Sequence, residues 1–234
     1  MRIGVIGAGD LGRTLARQLI RVGHEVSIAN SRGPESLTVL AHEIGATPAS
    51  VFEATEADVV IVSIPTRAVT DLPRELLANA PGGVVVVDTG NYHPELRDGR
   101  IDAIDGGLLD SEWVAQQLGH PVIKAFNNIF ARNLLEKGTP AGTTGRIALS
   151  VAGDPSEARA TVLRLVDDLG FDPLDGGGLA DSWRQQPGTP AYCQDLGAEA
   201  LRQALVKADR SLIAEYRVAE EARIRESIAA ESLE

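Results

Sequence analysis

The chain has 234 residues, of which 44% are hydrophobic and 4% aromatic, and its formal net charge at pH 7 is -11. This length suits one domain or two closely joined ones, with enough residues for a sizeable core. The negative charge argues against a general nucleic-acid or anionic-membrane surface, so local donors would have to hold an anionic ligand. Cys193 is the only cysteine. This excludes a disulfide framework and a cysteine metal site, and predicts an inert, partly buried thiol.

No apolar run reaches the length of a membrane span, and the first residues predict a strand rather than a leader segment. We therefore expect a soluble, cytoplasmic protein that contacts neither membrane nor nucleic acid. No cluster of ligating side chains indicates a metal site.

The first twenty residues predict a strand, a glycine turn and a helix. The apolar run Ile3-Gly-Val-Ile6 is followed by Gly7, Gly9 and Gly12 at the spacing G-x-G-x-x-G, and then by apolar residues at helical spacing. We expect Gly7 to permit the tight turn, Gly9 to let the backbone approach a pyrophosphate, and Gly12 to let the helix pack on the strand. The free N–H groups of the helix start would then meet the phosphates. A structural turn without a ligand is the alternative.

The second strand, predicted at 25–29, ends in a signal for cofactor choice. NAD enzymes place an acid about twenty residues beyond the glycines, where it accepts from the ribose hydroxyls. This chain has Asn30-Ser31-Arg32 there instead. A serine and a guanidinium suit a 2′-phosphate that an acid would repel. The turn therefore predicts NADP(H), with a solvated Arg32 and poor selectivity as the alternative.

The rest of the chain alternates predicted strands and helices. The buried run at 58–65 and the strand at 84–88 end at Ser63-Ile64-Pro65 and Thr89-Gly-Asn91, which should face the ligand crevice. Further strands are predicted at 46–49, 122–126, 147–152 and 172–174, and helices at 34–43, 71–77, 111–118, 130–137 and 154–169, with a long helix beginning near Tyr192. The spacing of Ser50 to Glu53 predicts a capping box at the start of a helix of one to two turns.

Three segments lack a clear period. Residues 97–110 predict a surface loop, residues 138–145 a domain boundary or lid, and residues 217–234 a solvated helix or an arm onto a partner subunit. The whole pattern predicts an α/β fold of Rossmann type. Its sheet would be doubly wound and mostly parallel, with a smaller α/β carboxyl-terminal part and a long carboxyl-terminal helix. We place a dinucleotide-binding domain at 1–127 and a second part, closing the substrate cleft, at 128–234.

Several segments, in chain order, resemble the NADP oxidoreductases that depend on the deazaflavin coenzyme F420. They are the glycine turn, residues 30–32, 60–65, 86–92, 122–127 and 176–179. The combination of Asp88-Thr-Gly-Asn91 with Lys124-Ala-Phe-Asn127 is the most specific of them. The chain is also similar to the reductase domain of the STEAP metalloreductases and to the amino-terminal half of pyrroline-5-carboxylate reductases.

The resemblance implies NADP(H) along the glycine turn, with the nicotinamide near Ile64 and Pro65 and backed by residues 124–126. A deazaflavin (coenzyme F420) or a flavin would stack against the nicotinamide as second substrate. The residues expected to bind the cofactor are Gly7, Ala8, Gly9, Asp10, Leu11, Gly12, Asn30, Ser31, Arg32, Ser63, Ile64, Pro65, Thr89, Asn91, Lys124, Ala125, Phe126 and Asn127. The chain departs from the family pattern at Asn127-Asn128-Ile129 and at 181–188, where the second substrate should sit, so the acceptor stays open.

Hydride transfer between two cofactors depends on placement more than on acid–base catalysis. The two rings must stack with the reacting atoms about 3–3.5 Å apart. No catalytic side chain is therefore predicted. We expect an NADP-dependent oxidoreductase that acts on a small-molecule redox substrate as a homodimer. One alternative is a redox-sensing protein that binds NADP(H) without turnover. Another is a reductase of a small carbonyl or imine, which would need a general acid.

Five further side chains are placed by the sequence. Lys124 is expected to emerge into the cleft, because it stands in an apolar strand end. His93 is expected to make a structural hydrogen bond rather than touch substrate, and Asp88 to hold its loop by accepting backbone N–H bonds. Trp183 and Tyr192 are expected in the core or an interface more than against a planar ring.

Overall fold

The computed structural model describes residues 1–231. Its strands are β1 (Arg2–Ile6), β2 (Glu25–Ala29), β3 (Thr47–Pro48), β4 (Val59–Val62), β5 (Val85–Asp88), β6 (Ile123–Lys124), β7 (Ala148–Val151) and β8 (Asp172–Asp175). Its α-helices are α1 (Asp10–Arg21), α2 (Thr38–Ile44), α3 (Val51–Ala54), α4 (Asp102–Asp105), α5 (Asp110–Leu118), α6 (Ala131–Glu136), α7 (Ser156–Asp168), α8 (Ala198–Lys207) and α9 (Ile213–Glu231).

The first six strands form a parallel sheet in the order β3-β2-β1-β4-β5-β6. The strand order reverses between β1 and β4, and ligands in such folds bind beyond the carboxyl ends of the strands at this point. Strands β7 and β8 form a separate parallel pair, and Ala152 after β7 meets Lys124 of β6 in one antiparallel bridge. The prediction of a Rossmann-type, doubly wound fold is confirmed.

Strands β4 and β5 are buried on both faces, as their unbroken apolar runs predict. Val59 and Ile61 pack in one hydrophobic cluster with α1, α2, α6 and α7. Val60 and Val62 pack in a second cluster with α3, α4 and α5. The sheet is thus covered by helices on both sides, and its carboxyl edge is left for the site.

The first of these clusters continues across position 127. Ile123 and Phe126 pack in it together with Leu149 of β7 and Phe171 before β8. The division into parts at 1–127 and 128–234 stays a prediction.

The structure corrects three predicted segments. The helix predicted at 71–77 is wrong, because a 3₁₀ helix occupies Thr66–Asp71 instead. The loop predicted at 97–110 contains the end of a π-helical turn at Pro94–Asp98, followed by α4 and the first residue of α5. The long helix predicted from Tyr192 is divided into α8 and α9, because the chain is extended at Ala208 and a 3₁₀ turn at Arg210–Leu212 follows.

Helix α9 is the long carboxyl-terminal helix, and it packs on the 91–98 loop through charged side chains. The Arg217 guanidinium lies 3.4 Å from Asp110 Oδ1 and 4.7 Å from the centre of the Tyr92 ring. Glu221 Oε1 accepts a hydrogen bond of 3.1 Å from the backbone N–H of Glu95. The described part of the predicted tail, 217–231, is therefore not a solvated helix on this side, and residues 232–234 lie outside the described residues. Among residues 1–231, no helix combines the length and apolarity that crossing a membrane requires.

Candidate functional site

The glycine turn has the geometry that its sequence predicts. Gly7 has φ 119°, and a Cβ on it would lie 2.0 Å from the carbonyl oxygen of Ser63. A Cβ on Gly12 would lie 2.0 Å from the carbonyl oxygen of Gly7, so this glycine allows α1 to pack against the turn. A Cβ on Gly9 would meet nothing within 4 Å. The space in front of Gly9, at the start of α1, is thus free for a ligand that approaches the backbone.

The turn after β2 is held by an asparagine and leaves its arginine free. Asn30 Oδ1 accepts from the backbone N–H of Arg32 at 2.9 Å, and Asn30 Nδ2 donates to Ser36 Oγ at 3.0 Å. The exposed Arg32 side chain makes no hydrogen bond or ion pair with any residue of the described chain. A preformed turn with an unpaired guanidinium is a site for a phosphate group.

These elements line a groove of about 750 Å³ along the carboxyl edge of the sheet. Nine of its lining residues are among those expected to bind the cofactor, namely Gly7, Ala8, Gly9, Asn30, Ser31, Arg32, Ser63, Ile64 and Pro65. Ala68, Leu72 and Pro73 add apolar side chains to its lining. The free backbone space and the free arginine lie in one groove, which fits a dinucleotide with a 2′-phosphate.

A second cleft, of about 400 Å³, adjoins the groove and shares Gly9, Ser63, Ile64 and Pro65 with it. It contains five more of the expected residues, namely Asp10, Leu11, Thr89, Asn91 and Asn127. Sequence reasoning did not place Phe130, Ala131 or Cys193 in this cleft, although the structure does. Phe130 and Ala131 follow the end of β6 closely, and Cys193 follows Tyr192, and these positions are the signal that could have found them.

Amide side chains form the floor of this cleft. Asn91 Nδ2 donates to the carbonyl oxygen of Asn127 at 2.9 Å, and Asn127 Nδ2 donates to Asn91 Oδ1 at 3.1 Å. Gln185 Nε2 donates to Asn127 Oδ1 at 2.9 Å and to the carbonyl oxygen of Ser150 at 3.2 Å. The network ties the ends of β5 and β6 to the carboxyl-terminal part and fixes the shape of the floor.

Strained backbone lies on either side of this network. Phe126, at the end of β6, has φ 62°, and Cys193, which lines the cleft, has φ 51°. The backbone N–H of Cys193 donates to the carbonyl oxygen of Asn128 at 3.2 Å, so the two strained segments meet. Left-handed backbone at non-glycine residues costs about 1–3 kcal/mol each and is concentrated at functional sites.

The expectation that Lys124 emerges into the cleft is wrong. Its side chain is 0% exposed, and Nζ donates to Asp88 Oδ2 at 2.9 Å and to the carbonyl oxygen of Gly90 at 2.5 Å. Asp88 Oδ1 also accepts from the backbone N–H of Gly90 at 2.8 Å, as expected of a loop anchor. Lys124 is drawn inward because its neighbour on β5 supplies a buried carboxylate.

Three other expected cofactor residues line neither the groove nor the cleft. Gly12, Ala125 and Phe126 are buried behind them. These residues, with Lys124, support the site from beneath its surface.

The segment 138–145 is not a lid over the groove or the cleft. Residues 138–141 line a separate pocket with the end of α1, and the backbone N–H of Thr139 donates to the carbonyl oxygen of Gly170 at 2.9 Å. The interpretation of the segment as a lid is wrong, because backbone contacts hold it away from the site, and its interpretation as a domain boundary stays a prediction.

Two aromatic side chains have different surroundings. Tyr192 lines the cleft, and its hydroxyl accepts from Asn91 Nδ2 at 3.3 Å. Burial raises the pKa of Tyr192 well above its usual value, so the hydroxyl is protonated at neutral pH. Trp183 packs in a cluster with Leu109 and Ala208, which confirms a core position.

The prediction of an inert thiol at Cys193 is confirmed. Burial raises the pKa of the thiol to about 12. The reactive thiolate is therefore scarce at neutral pH.

His93 also lines the cleft, and it differs from the expectation of a structural hydrogen bond. It is 7% exposed, and neither ring nitrogen forms a hydrogen bond with a residue in 1–231. Burial, together with the Arg97 charge, lowers the pKa of His93 from 6.5 to about 4. The imidazole is therefore neutral at pH 7.

We expect this pKa to appear as a pH dependence of stability. The unfolded chain takes up the His93 proton near pH 6.5, whereas the folded chain takes it up only near pH 4. The stability that this lowered pKa contributes to the folded chain is fully present above pH 6.5 and is lost as the pH falls to 4. As the pH falls from 6.5 to 4, the free energy of unfolding measured with urea should decrease by about 3 kcal/mol more for wild type than for His93→Gln. Parallel curves for the two proteins would contradict the lowered pKa.

Comparison with known proteins agrees with this geometry. The family model for the NADP oxidoreductases, coenzyme F420-dependent, matches residues 2–92, which include β1 to β5 and the glycine turn. The match to this family covers the amino-terminal part of the chain, up to the loop that follows β5. The sequence resemblance to the F420-dependent NADP oxidoreductases and to the STEAP metalloreductases is thereby confirmed.

Individual proteins to which the chain is similar extend the comparison. A solved structure of a hypothetical protein, SMa0349, from Sinorhizobium meliloti is 34% identical with a TM-score of 0.65, covering 77% of this chain and 87% of that one. The metalloreductase STEAP3 of Rattus norvegicus is 28% identical over 182 residues, which are 77% of this chain and 35% of that protein. The Escherichia coli (strain K12) protein YjhV is 49% identical over 65 residues, 28% of this chain and 47% of that protein. The chain spans less than half of the length of the curated relatives that it matches.

Proposed function

We propose that this chain binds NADP(H) in the groove and transfers a hydride between NADPH and a deazaflavin, flavin or similar redox acceptor in the adjoining cleft. The observation that carries the proposal is the continuity of the two spaces. They share Gly9, Ser63, Ile64 and Pro65, so a dinucleotide that fills the groove would present its far end in the cleft.

The residues of the groove fit the proposed cofactor. The open space at Gly9 lies at the amino end of α1, where backbone N–H groups and the helix dipole favour a pyrophosphate. Asp10 in the first turn adds a negative charge, but it is paired with Arg13. Arg32 would hold the 2′-phosphate at the other end of the groove.

The residues of the cleft would position the second substrate. Phe130 is 44% exposed and, with Ile64 and Pro65, offers an apolar surface for a planar ring. Bound NADPH supplies the hydride, and the chain contributes placement rather than proton transfer. The amide floor and the strained segments hold this geometry before the substrate arrives. Action as a homodimer stays a prediction.

Turnover is tested by mixing the full chain with NADPH and coenzyme F420 or FMN and following the NADPH absorbance. We expect consumption with at least one of these acceptors. Tight NADPH binding without consumption by either would favour the redox-sensing alternative over this proposal.

We expect Arg32→Ala to raise the Kd for NADPH roughly ten- to a hundredfold and to leave the Kd for NADH within about twofold. A charge-assisted hydrogen bond contributes about 1.5–3 kcal/mol, and NADH lacks the 2′-phosphate that would receive it. Calorimetric titration of both nucleotides measures the difference. Arg202→Ala is the matched control, because Arg202 is an exposed residue of α8 that pairs with Glu199, and it should change neither Kd. An equal loss of NADH and NADPH affinity would reject the phosphate assignment.

A further inference from the structure

The imidazole of His93 is the feature of the cleft that neither the fold nor the proposed cofactor site uses. Its backbone is fixed, because Asp98 Oδ2 accepts from the His93 N–H at 2.8 Å and the π-helical turn returns the N–H of Asp98 to the His93 carbonyl oxygen at 2.9 Å. π-helical turns are frequent at functional sites. The loop is thus rigid, whereas the ring that it presents to the cleft has no hydrogen-bond partner in 1–231.

A buried polar ring without a partner costs free energy that a ligand can recover. The loss for a buried, unsatisfied donor or acceptor is about 1–3 kcal/mol. The amide groups of the cleft floor are already paired with one another, and the Tyr192 hydroxyl is paired with Asn91. Among the buried side chains that line the cleft in residues 1–231, His93 therefore keeps its hydrogen-bonding capacity for a bound molecule.

The charges that face His93 come from two elements. Arg97 and Asp98 lie on its own turn, and Arg217 and Glu220 face it from α9. They are two cations and two anions, so no net charge favours the imidazolium. The ring can donate one N–H hydrogen bond while it remains neutral, which is how a neutral histidine polarises a carbonyl group.

We propose that His93 is a catalytic residue that donates a hydrogen bond to a carbonyl oxygen of the acceptor, and that the acceptor is a planar conjugated ring bearing carbonyl groups. This inference rests on the proposed function. Phe130, which is 44% exposed, and His93 both line the cleft, so a flat ring packed on Phe130 could present its polar edge to His93. Deazaflavins and flavins belong to this chemical class.

The proton that completes the reduction comes from water. The hydride carries two electrons from the nicotinamide C4 to the acceptor ring, where a new bond to hydrogen forms, so the nicotinamide is oxidised and the acceptor is reduced. The displaced electron pair of the conjugated ring places negative charge on the carbonyl oxygen. The hydrogen bond from His93 strengthens as this charge develops, and water supplies the proton that neutralises it.

The test compares His93→Leu, which removes the donor, with His93→Gln, which retains a neutral N–H donor. With NADPH and coenzyme F420, and with FMN as second probe, we expect His93→Leu to lower kcat about a hundredfold and to leave the Kd for NADP⁺ unchanged. His93→Gln should restore most of kcat. The wild-type rate should not fall as the pH rises from 6 to 8.

A second readout does not depend on turnover or on the variants. In the NMR spectrum of ¹⁵N-histidine-labelled wild type, the His93 ring nitrogens should report a neutral imidazole at pH 7. They should shift when coenzyme F420 is added to the NADP⁺ complex and not when NADP⁺ is added alone. His93→Gln assigns the signals among the four histidines of the chain.

The outcomes separate this inference from the proposed function. If wild type consumes NADPH and His93→Leu keeps the wild-type kcat, only the role of His93 is overturned. The same holds if the NMR signal of His93 does not shift when the acceptor is added. A rate that falls with pH and is not rescued by glutamine would show an imidazolium acid instead, and would also overturn the inference. Failure of wild type to consume NADPH with either probe would count against the proposed function itself.

Discussion

Gly9→Ala should raise the Kd for NADPH by at least about tenfold while the protein folds normally. Gly9 has φ -72° and ψ -176°, which alanine adopts without strain, and its Cβ would meet no protein atom within 4 Å. The methyl group would instead occupy the space that the pyrophosphate requires. Crowding of this kind costs about 1–3 kcal/mol, and 1.4 kcal/mol is a factor of ten in affinity.

Gly12→Ala is the matched comparison, and we expect it to lower the stability of the fold, whereas Gly9→Ala lowers the affinity for NADPH. Its Cβ would stand 2.0 Å from the carbonyl oxygen of Gly7, so the backbone of the turn or of α1 must move. We expect a loss of at least about 3 kcal/mol in the free energy of unfolding. Urea unfolding and NADPH titration of both variants give the four values. Normal affinity in a folded Gly9→Ala protein would show that no ligand approaches this backbone.

These glycines could be interpreted from the sequence because their roles are local. The turn angle of Gly7 and the contact of Gly12 with Gly7 involve residues only a few positions apart. The Asn30 turn is local for the same reason, since its side chain bonds the N–H two residues on. The burial of β4 on both faces likewise follows from its unbroken apolar run.

The division of the last predicted helix shows where periodicity misleads. The apolar stripe continues through Ala208, Leu212 and Ile213, but Asp209 Oδ1 accepts from the backbone N–H of Ser211 at 2.9 Å and starts a new helical segment. An Asp two residues before a Ser is a capping signal that competes with the stripe. This capping signal could have been weighed against the apolar stripe in the sequence.

The docking of α9 could not have been predicted in this way. Arg217, Glu220 and Glu221 form its buried side. Arg217 pairs with Asp110 and Glu221 with the backbone of Glu95, both of which lie far earlier in the chain, whereas Glu220 pairs with Arg223 of the same helix. A charged face is normally the solvated face of a helix. Only the three-dimensional structure supplies the partners that bury it.

The burial of Lys124 is non-local in the same sense, and it leads to the second large prediction. Asp88 Oδ2 accepts a hydrogen bond of 2.9 Å from Lys124 Nζ on the neighbouring strand and one of 2.8 Å from Ser111 Oγ on α5. Asp88 is 2% exposed and Lys124 is 0% exposed. Removing the ammonium group leaves a carboxylate in the interior without its counter-charge.

We expect Lys124→Met to lower the free energy of unfolding by about 3–5 kcal/mol, which is the usual cost of breaking a buried pair from one side. Urea unfolding at pH 7 measures it. Lys137→Met is the surface control, because Lys137 is 47% exposed and lies 2.7 Å from Asp195 Oδ2. An ion pair of this exposure contributes about 0–1 kcal/mol.

The double variant Asp88→Asn with Lys124→Met separates charge from packing. A neutral amide at position 88 can still bond Ser111 and the N–H of Gly90, so the double variant should be more stable than Lys124→Met alone. If the double variant is instead less stable, the lysine stabilises the fold through its contact with the Gly90 carbonyl oxygen and its packed stem, and the buried charge is not the cause. Both variants remove the hydrogen bond from Lys124 Nζ to the carbonyl oxygen of Gly90, which lies within the Thr89–Asn91 loop. Because this loop lines the cleft, Lys124→Met should also disturb the acceptor side of the site while Arg32 keeps its selectivity for NADPH.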